Sequence, residues 1–475
     1  MFGGLIRSAS ILTLCAAAGI AMGGVSPAKA ADLGGDCCAD LEERVANLEA
    51  TTVRKGNKLV SLTLSGHVNR EVTWYDDGSM TGMRSGDNIM SHSRFRMLGN
   101  AKIAPDWSIG FYQEFEFSTS GNFGDSQIDD RGFNSAGGNL QGSSPFNFAI
   151  RQSHWYIKND SVGTLTVGRL NMATKDMPGI ELGNIALVAA SDMDLQMGNF
   201  LLRPKGAAGR EGLANVRLSA FRTQSSSDNL RTDGIRYDSP TIMGFTLSAA
   251  AGDDYKYDVA LRYAGEWSGL RVAAGAGYYI DLDEGLCDAT NAATGLSGPF
   301  SATNALANNS NCPAGAPAAN NPNGVAGSTA KPGRREQNIL KLNASAWHQP
   351  TGLFVSGAYW NLQYDGFGNI DNRIASLGGG QRPDSSMYWI AAGIRKNFFG
   401  IGDTSLFGEY GRINDPLNGT AFNTTSAGNA AVGTNFTGVT DSNLTRWGVG
   451  LVQNVDKAAT TLYIHYLQYT PEVSG

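Results

Sequence analysis

The chain contains no run of about 18 consecutive apolar residues. That excludes a membrane-crossing helix, which needs roughly 20. Cysteine is scarce, 5 in 475 residues, too few for a fold built on disulfides. The 5 histidines, His67, His92, His154, His348 and His465, stand in no Ser- or acid-bearing motif, which argues against a hydrolase. No residue set calls for a metal or a cofactor. A basic excess is also missing. The formal net charge is −6, and losing Arg7 and Lys29 with a leader lowers it further, so nucleic acid is a poor partner. Glycine (61) and tyrosine (16) are plentiful by contrast. Mean hydropathy is −0.21. That is too polar for a helical membrane bundle and ordinary for a barrel with a wet interior, where half of each strand faces water.

The amino terminus reads as a cleavable leader over residues 1–30. Arg7 precedes the apolar, Ala-rich stretch 11–22, and Ala28-Lys29-Ala30 offers small residues for cleavage before Ala31. Cys15 follows Leu14 and Cys37 follows Asp36, so neither has the small residue expected before a lipidated cysteine. Residues 31–57 form a separate segment with a short helix over 36–52. Leu41, Val45 and Leu48 recur there at heptad-like spacing between Glu42, Glu43, Arg44 and Glu49. Two heptads do not hold a coiled coil alone. A periplasmic stub in an oligomer and a loose amphipathic helix both fit.

Residues 58–475 form the barrel, and from Ser61 the period becomes two. Leu62, Leu64, Val68, Val72 and Trp74 share one face, and Thr63, Ser65, His67, Asn69, Glu71 and Thr73 the other. Phe95, Met97, Ala101 and Ile103 likewise oppose Arg94, Arg96, Asn100 and Lys102. Trp107, Ile109, Phe111, Phe115 and Phe117 oppose Ser108, Tyr112, Glu114 and Glu116. Soluble sandwiches alternate too, but here charges stand mid-strand on the polar face. Trp74, Trp107, Trp267, Trp347, Trp360 and Trp389 lie near strand ends, as interfacial girdles do. Arg70 shares the apolar face of its strand and either snorkels to the interface or meets another subunit.

Link lengths alternate. Short turns fall at 104–106, 159–162, 239–243, 268–269, 349–352, 398–403 and 456–458. Between them lie long links at 76–92, 118–147, 170–229, 281–336, 365–385 and 413–442, with 253–256 the one short exception. Sorting by parity marks an outer-membrane barrel with periplasmic turns and outer loops. Strands are expected near 62–75, 93–103, 107–117, 148–158, 163–169, 230–238, 244–252, 257–267, 270–280, 337–348, 353–364, 386–397, 404–412, 443–455 and 459–469. That odd count leaves the last strand of an even barrel missing, with 470–475 a turn-like segment. The rival is an extra strand over 216–221. An open edge in lipid is very costly, so the gap has to be met somehow.

The stretch Asp36-Cys37-Cys38-Ala39-Asp40-Leu41-Glu42-Glu43-Arg44-Val45-Ala46-Asn47-Leu48-Glu49-Ala50, followed by Val60-Ser61-Leu62-Thr63-Leu64-Ser65-Gly66, resembles the mature start of the alphaproteobacterial porin family. Gly163-Thr164-Leu165-Thr166-Val167-Gly168-Arg169 and Gly234-Ile235-Arg236-Tyr237-Asp238-Ser239-Pro240 look like general-porin strand motifs. The resemblance implies an all-β, sixteen-stranded antiparallel transmembrane barrel in the outer membrane. It also implies a homotrimer, no catalysis, and passive diffusion of small hydrophilic solutes and ions. The nearest alternative is a substrate-specific channel; a barrel adhesin or receptor is more remote. The resemblance further implies that the link after the fifth strand folds into the lumen. Glu181, Asp192 and Asp194 on that loop then face a basic wall of Arg94, Arg96, Arg151 and Arg169, with Lys102 lower down. Acid against base would set a transverse field across the narrowest point. Cys287 and Cys312 share one outer loop in an oxidising compartment, which favours a disulfide between them. For Cys37 and Cys38, pairing between subunits and free thiols both stay open.

Overall fold

The alternating segments become one antiparallel sheet. The structure, a computed structural model, describes residues 12–18, 60–118, 127, 147–209, 213, 217–221, 231–253, 255–282, 336–365, 383–418 and 439–474. The helix expected over 36–52, Cys37, Cys38, Cys287 and Cys312 lie outside these residues, as does most of the stretch expected to be a leader. The strands are β1 (Leu12–Ala18), β2 (Ser61–Asp76), β3 (Thr81–Asp87), β4 (Ser93–Ala104), β5 (Trp107–Ser118) and β6 (Asn147–Asn159). Next come β7 (Gly163–Asn171), β8 (Arg231–Asp238), β9 (Phe245–Gly252), β10 (Lys256–Trp267), β11 (Leu270–Asp281) and β12 (Glu336–His348). The last are β13 (Leu353–Asp365), β14 (Ser385–Lys396), β15 (Thr404–Asn414), β16 (Asp441–Val455) and β17 (Thr460–Ser474).

Each strand from β4 onward pairs antiparallel with the next. The first half of β2 pairs with β4 and its second half with β3, so β3 and β4 share one track and the sheet has sixteen strand positions. Strands β2 and β17 run in the same sense, so an antiparallel sheet needs an opposite strand between them. Strand β1 takes that place, with Thr13 opposite His465 and Leu12 opposite Trp74. The gap expected between the first and last strands is thus occupied, by residues 12–18 of the stretch that the sequence reading expects to be a leader. All fifteen expected strands are present.

Three details differ from the sequence reading. Strand β3 falls in the link expected over 76–92, because TGMRSGD carries no apolar alternation. Within 216–221, Leu218–Phe221 is a 3-10 turn rather than a strand. Residues 470–474 extend β17 instead of turning, despite Pro471. Strand β1 pairs with β17 only over Thr460–His465, so Pro471 stands beyond that ladder, where a missing N–H is tolerated. The short turns use local chemistry. Ser268 and Gly269 (φ 48° and 79°) join Trp267 to Leu270, a two-residue hairpin with both central residues left-handed.

Burial is inverted relative to a soluble protein. Leu64, Val68, Phe111, Ile150, Leu165, Leu247, Val259, Val355, Ile390 and Val449 are exposed on the outer face, whereas Arg446, Lys341, Ser345 and Glu409 are buried within. Lipid solvates the first set, and the second meets partners inside. Trp74, Trp107 and Trp267 are exposed as a girdle requires, and Trp155 and Trp447 join them. Trp360 (0 % exposed) and Trp389 (3 %) are not girdle residues. Trp360 shares its strand parity with the buried Ala358 and Leu362, and parity decides the face before position along the strand does. Trp347 also points inward, 4.3 Å beneath Arg395. Arg70, the exception on the outer face of β2, donates to its cross-strand neighbour Asp87 at 2.9 Å. Brominated acyl chains are therefore expected to quench the fluorescence of Trp74, Trp107, Trp155, Trp267 and Trp447 and to spare Trp360 and Trp389. Single-tryptophan variants in brominated bilayers test this, and strong quenching of Trp360 would contradict the inward placement.

Candidate functional site: the lumen and its inward loop

The segment that follows β7 from Met172 turns inward, and among its described residues many apolar side chains are buried inside the barrel. Ile185, Val188, Ala189, Met193, Phe200, Leu218 and Phe221 pack with Trp360, Trp389, Phe407, Tyr463 and Tyr469 of the inner wall. Its start is held by Asp258 on β10, whose carboxylate accepts the amides of Ala173 (3.0 Å) and Thr174 (2.6 Å) and the Thr174 hydroxyl (2.8 Å). Arg236 donates to the carbonyls of Asn171 and Met172, and Arg262 to that of Ala173. Further along, Ser345 accepts the Leu182 amide at 2.9 Å, and Arg395 donates to the Leu182 carbonyl at 2.9 Å. Two wall glycines make room for the approach. A Cβ on Gly275 would come within 2.9 Å of the Met177 methyl, and one on Gly411 would overlap the Met193 sulfur.

The middle of the loop is pinned by a buried ion pair. Arg446 on β16 donates to Glu409 at 2.7 Å, to the Ala190 carbonyl at 2.9 Å and to the Met193 carbonyl at 3.3 Å. Trp389 donates to the same carboxylate at 2.7 Å, and His465 lies 3.3 Å from its other oxygen. Tyr469 donates to the Gln196 carbonyl at 3.0 Å. The tail is clamped by the β2–β3 hairpin. Arg203 reaches both oxygens of Asp77 (3.1 and 2.8 Å), a bidentate pair with both side chains buried. Asn88 donates to the Leu187 carbonyl, and Gln127 exchanges two hydrogen bonds with Leu201.

The acids expected to face the lumen turn into the protein. Glu181 accepts the loop's own Ile185 and Ala186 amides at 3.0 and 3.2 Å, and burial pushes its carboxyl up. Asp192 and Asp194 are buried. Burial also raises Asp192, while Lys175, Lys341 and Arg446 pull it the other way. The Lys175 ammonium is lowered to about 8 by the same burial, with Asp192 opposing the shift. Lys341 lies 4.4 Å above the Trp360 ring, under the loop.

Arg94, Arg96 and Arg151 come together elsewhere, on β4 and β6. Between them on β5 stand two glutamates. Glu114 lies 2.7 Å from Arg96, 2.8 Å from Arg151 and 4.0 Å from Arg94. Glu116 pairs with Arg151 and, at 2.6 Å, with His92. A register shift at Glu114/Phe115 places a bulge at Arg151, which re-aims that side chain into the cluster. Lys102 is exposed near the turn end of β4. Arg169 shares its parity with the outward Leu165 and sits opposite Asp233, and its charge, like that of Arg151, bears on Arg231. Alternation along β5 puts Glu114 and Glu116 on the polar face and by itself gives them no role. Their direct register opposite Arg96 and Arg94 was the available signal.

The geometry is that of a polar passage narrowed by a fixed internal loop, inside a barrel with an apolar outer belt. No curated protein matches the chain. Among solved structures it is similar to an anion-selective porin from Comamonas acidovorans (12% identity, 87% of this chain and 100% of that chain, TM-score 0.46). It is similar also to the trimer form of OmpT, an outer membrane protein of Vibrio cholerae (13%, 87% and 100%, TM-score 0.40). A third is Salmonella typhi OmpF in complex with daunomycin (11%, 87% and 99%, TM-score 0.36). Residues 10–473 match the family described as Gram-negative porin. With nearly the whole chain matched, and with this barrel and its narrowed polar lumen, the chain belongs to the Gram-negative porin family and is a passive diffusion channel of the outer membrane.

Proposed function

We propose that this channel is a general-diffusion porin of the alphaproteobacterial type, working as a homotrimer and passing small hydrophilic solutes and ions without a dedicated solute site. The observation that carries this reading is the inward loop itself. It narrows the passage, yet its polar groups are spent on the wall, at Asp258, Ser345, Arg395, Arg446 and Asp77. A fixed constriction sorts by size and charge rather than by binding. Arg94, Arg96 and Arg151 are the basic wall in this reading, while Glu181, Asp192 and Asp194 anchor the loop. In planar bilayers the purified protein is expected to give conductance steps in groups of three. Saturation of the current by one solute at low concentration would favour a substrate-specific channel instead.

The leader over residues 1–30 is part of the same reading. Amino-terminal sequencing of protein taken from outer membranes is expected to begin at Ala31. Recovery of a chain beginning upstream of Leu12 would instead assign β1 to the working barrel.

A further inference from the structure

The two sides of the lumen differ in what they offer a passing ion. On the loop, the acids among the described residues are Asp176, Glu181, Asp192 and Asp194. Glu181 has one oxygen on loop amides and the other buried, and Asp192 and Asp194 are buried. Asp176 is the exposed one, and it lies 3.8 Å from Arg236. The half-buried loop residues Ile180, Leu182, Leu187, Met197 and Leu202 are apolar. The loop therefore presents little negative charge to the passage. On β4–β6, Arg94, Arg96 and Arg151 share Glu114 and Glu116. Three guanidiniums against two carboxylates leave a positive charge in excess. Arg231 lies within electrostatic reach of the same cluster. Arg94 and Arg151 are 15% exposed, against 4% and 10% for the glutamate side chains, so these two cations stand nearer the water, while Arg96 at 9% is held deeper in the cluster. Glu71 on β2 lines a small recess with Thr73, Gln196 and His465 at the loop's margin.

We propose that the constriction carries its charge on one side, so that the channel favours small anions, carboxylates and inorganic oxyanions included, over cations. Arg94, Arg96 and Arg151 are the specificity-determining side chains. Glu114 and Glu116 are positioning residues: they hold the guanidiniums in fixed array and set how much of their charge remains. The inference rests on the diffusion-channel reading and adds the sign of the field. An excess charge a few ångströms from the ion path, in a lumen only partly screened by salt, biases the local ion ratio on the order of threefold.

The test is the reversal potential of the full-length protein in planar bilayers under a potassium chloride gradient, then with potassium acetate in place of chloride. Wild type is expected to pass chloride and acetate in preference to potassium. Glu116→Gln is expected to raise the anion-to-cation permeability ratio about threefold at low salt, and Arg94→Gln to lower it by a similar factor. Both effects should shrink in molar salt. A conducting wild type that prefers potassium, or a ratio that neither variant moves, overturns the proposal and leaves the porin reading intact. A folded barrel that never conducts removes both.

Discussion

Arg446→Met is expected to destabilise the barrel by about 3–5 kcal/mol, because it strands a buried carboxylate. Arg446 and Glu409 both have fully buried side chains, and Trp389 and His465 complete the ring around the carboxylate. Methionine fills much of the volume but leaves Glu409 short of its strongest donor. Urea titration of folding into lipid vesicles reads the loss. The companion experiment is the pair Arg446→Met with Glu409→Leu. Removing both charges is expected to recover most of the stability, since an apolar pair has no desolvation to offset. The two variants are expected to part company in conductance. Both remove the donor to the Ala190 and Met193 carbonyls, so both should show a noisier open channel than wild type. Quiet wild-type current in the double variant would show that the apolar packing of Met193 and Val188 fixes the loop without Arg446.

The second large effect is expected at the tail of the loop. Arg203→Leu breaks a bidentate pair in which the side chains of Arg203 and Asp77 are 5% and 2% exposed. The buried carboxylate left behind makes a loss of about 3–5 kcal/mol the expected scale here too. Asp77 also accepts the amides of Ser79 and Met80, so part of its charge stays solvated by the turn and the lower end of that range applies. Release of the tail should widen the passage on the β2–β3 side, and single-channel conductance is expected to rise rather than fall. Arg203→Lys restores the charge without the fork and is expected to fall between the two. A conductance unchanged in Arg203→Leu would mean that the Gln127–Leu201 exchange holds the tail by itself.

How much of this was legible beforehand follows from which signals are local. Period-two alternation and link-length parity are local, and they gave the fifteen expected strands to within a few residues. Strand β3 escaped because Met83 is its one large apolar residue, and its partner in register is Trp74 on a strand already assigned. The tryptophans were half legible. Being aromatic near a strand end is visible in sequence, but Trp360 and Trp389 face a loop that arrives from more than 130 residues upstream, and no local pattern reports that. The same distance explains the site. Glu181, Asp192 and Asp194 read correctly as loop acids, yet whether an acid faces water or wall depends on Arg395, Lys341 and Arg446, each on a different strand. Glu114 and Glu116 were the closest miss. They lie on the strand adjacent to Arg94 and Arg96, and the short turn at 104–106 fixes the register that joins them.

The contacts that narrow the passage have a consequence for the order of assembly. Met193 is anchored by Arg446, 253 positions later in the chain, and Gln196 by Tyr469, 273 positions later. The start and tail of the loop are held by β8, β10, β12 and the β2–β3 hairpin, but the hooks of its middle are on β16 and β17. Contacts so distant in sequence form late, after most of the loop-closure entropy has been met. The eyelet is therefore a product of completion: a barrel still waiting for its last strands has a wall but no gauge. Pulse-labelling during insertion should find the loop accessible until β16 and β17 dock, and permeability to large solutes should vanish in the same step.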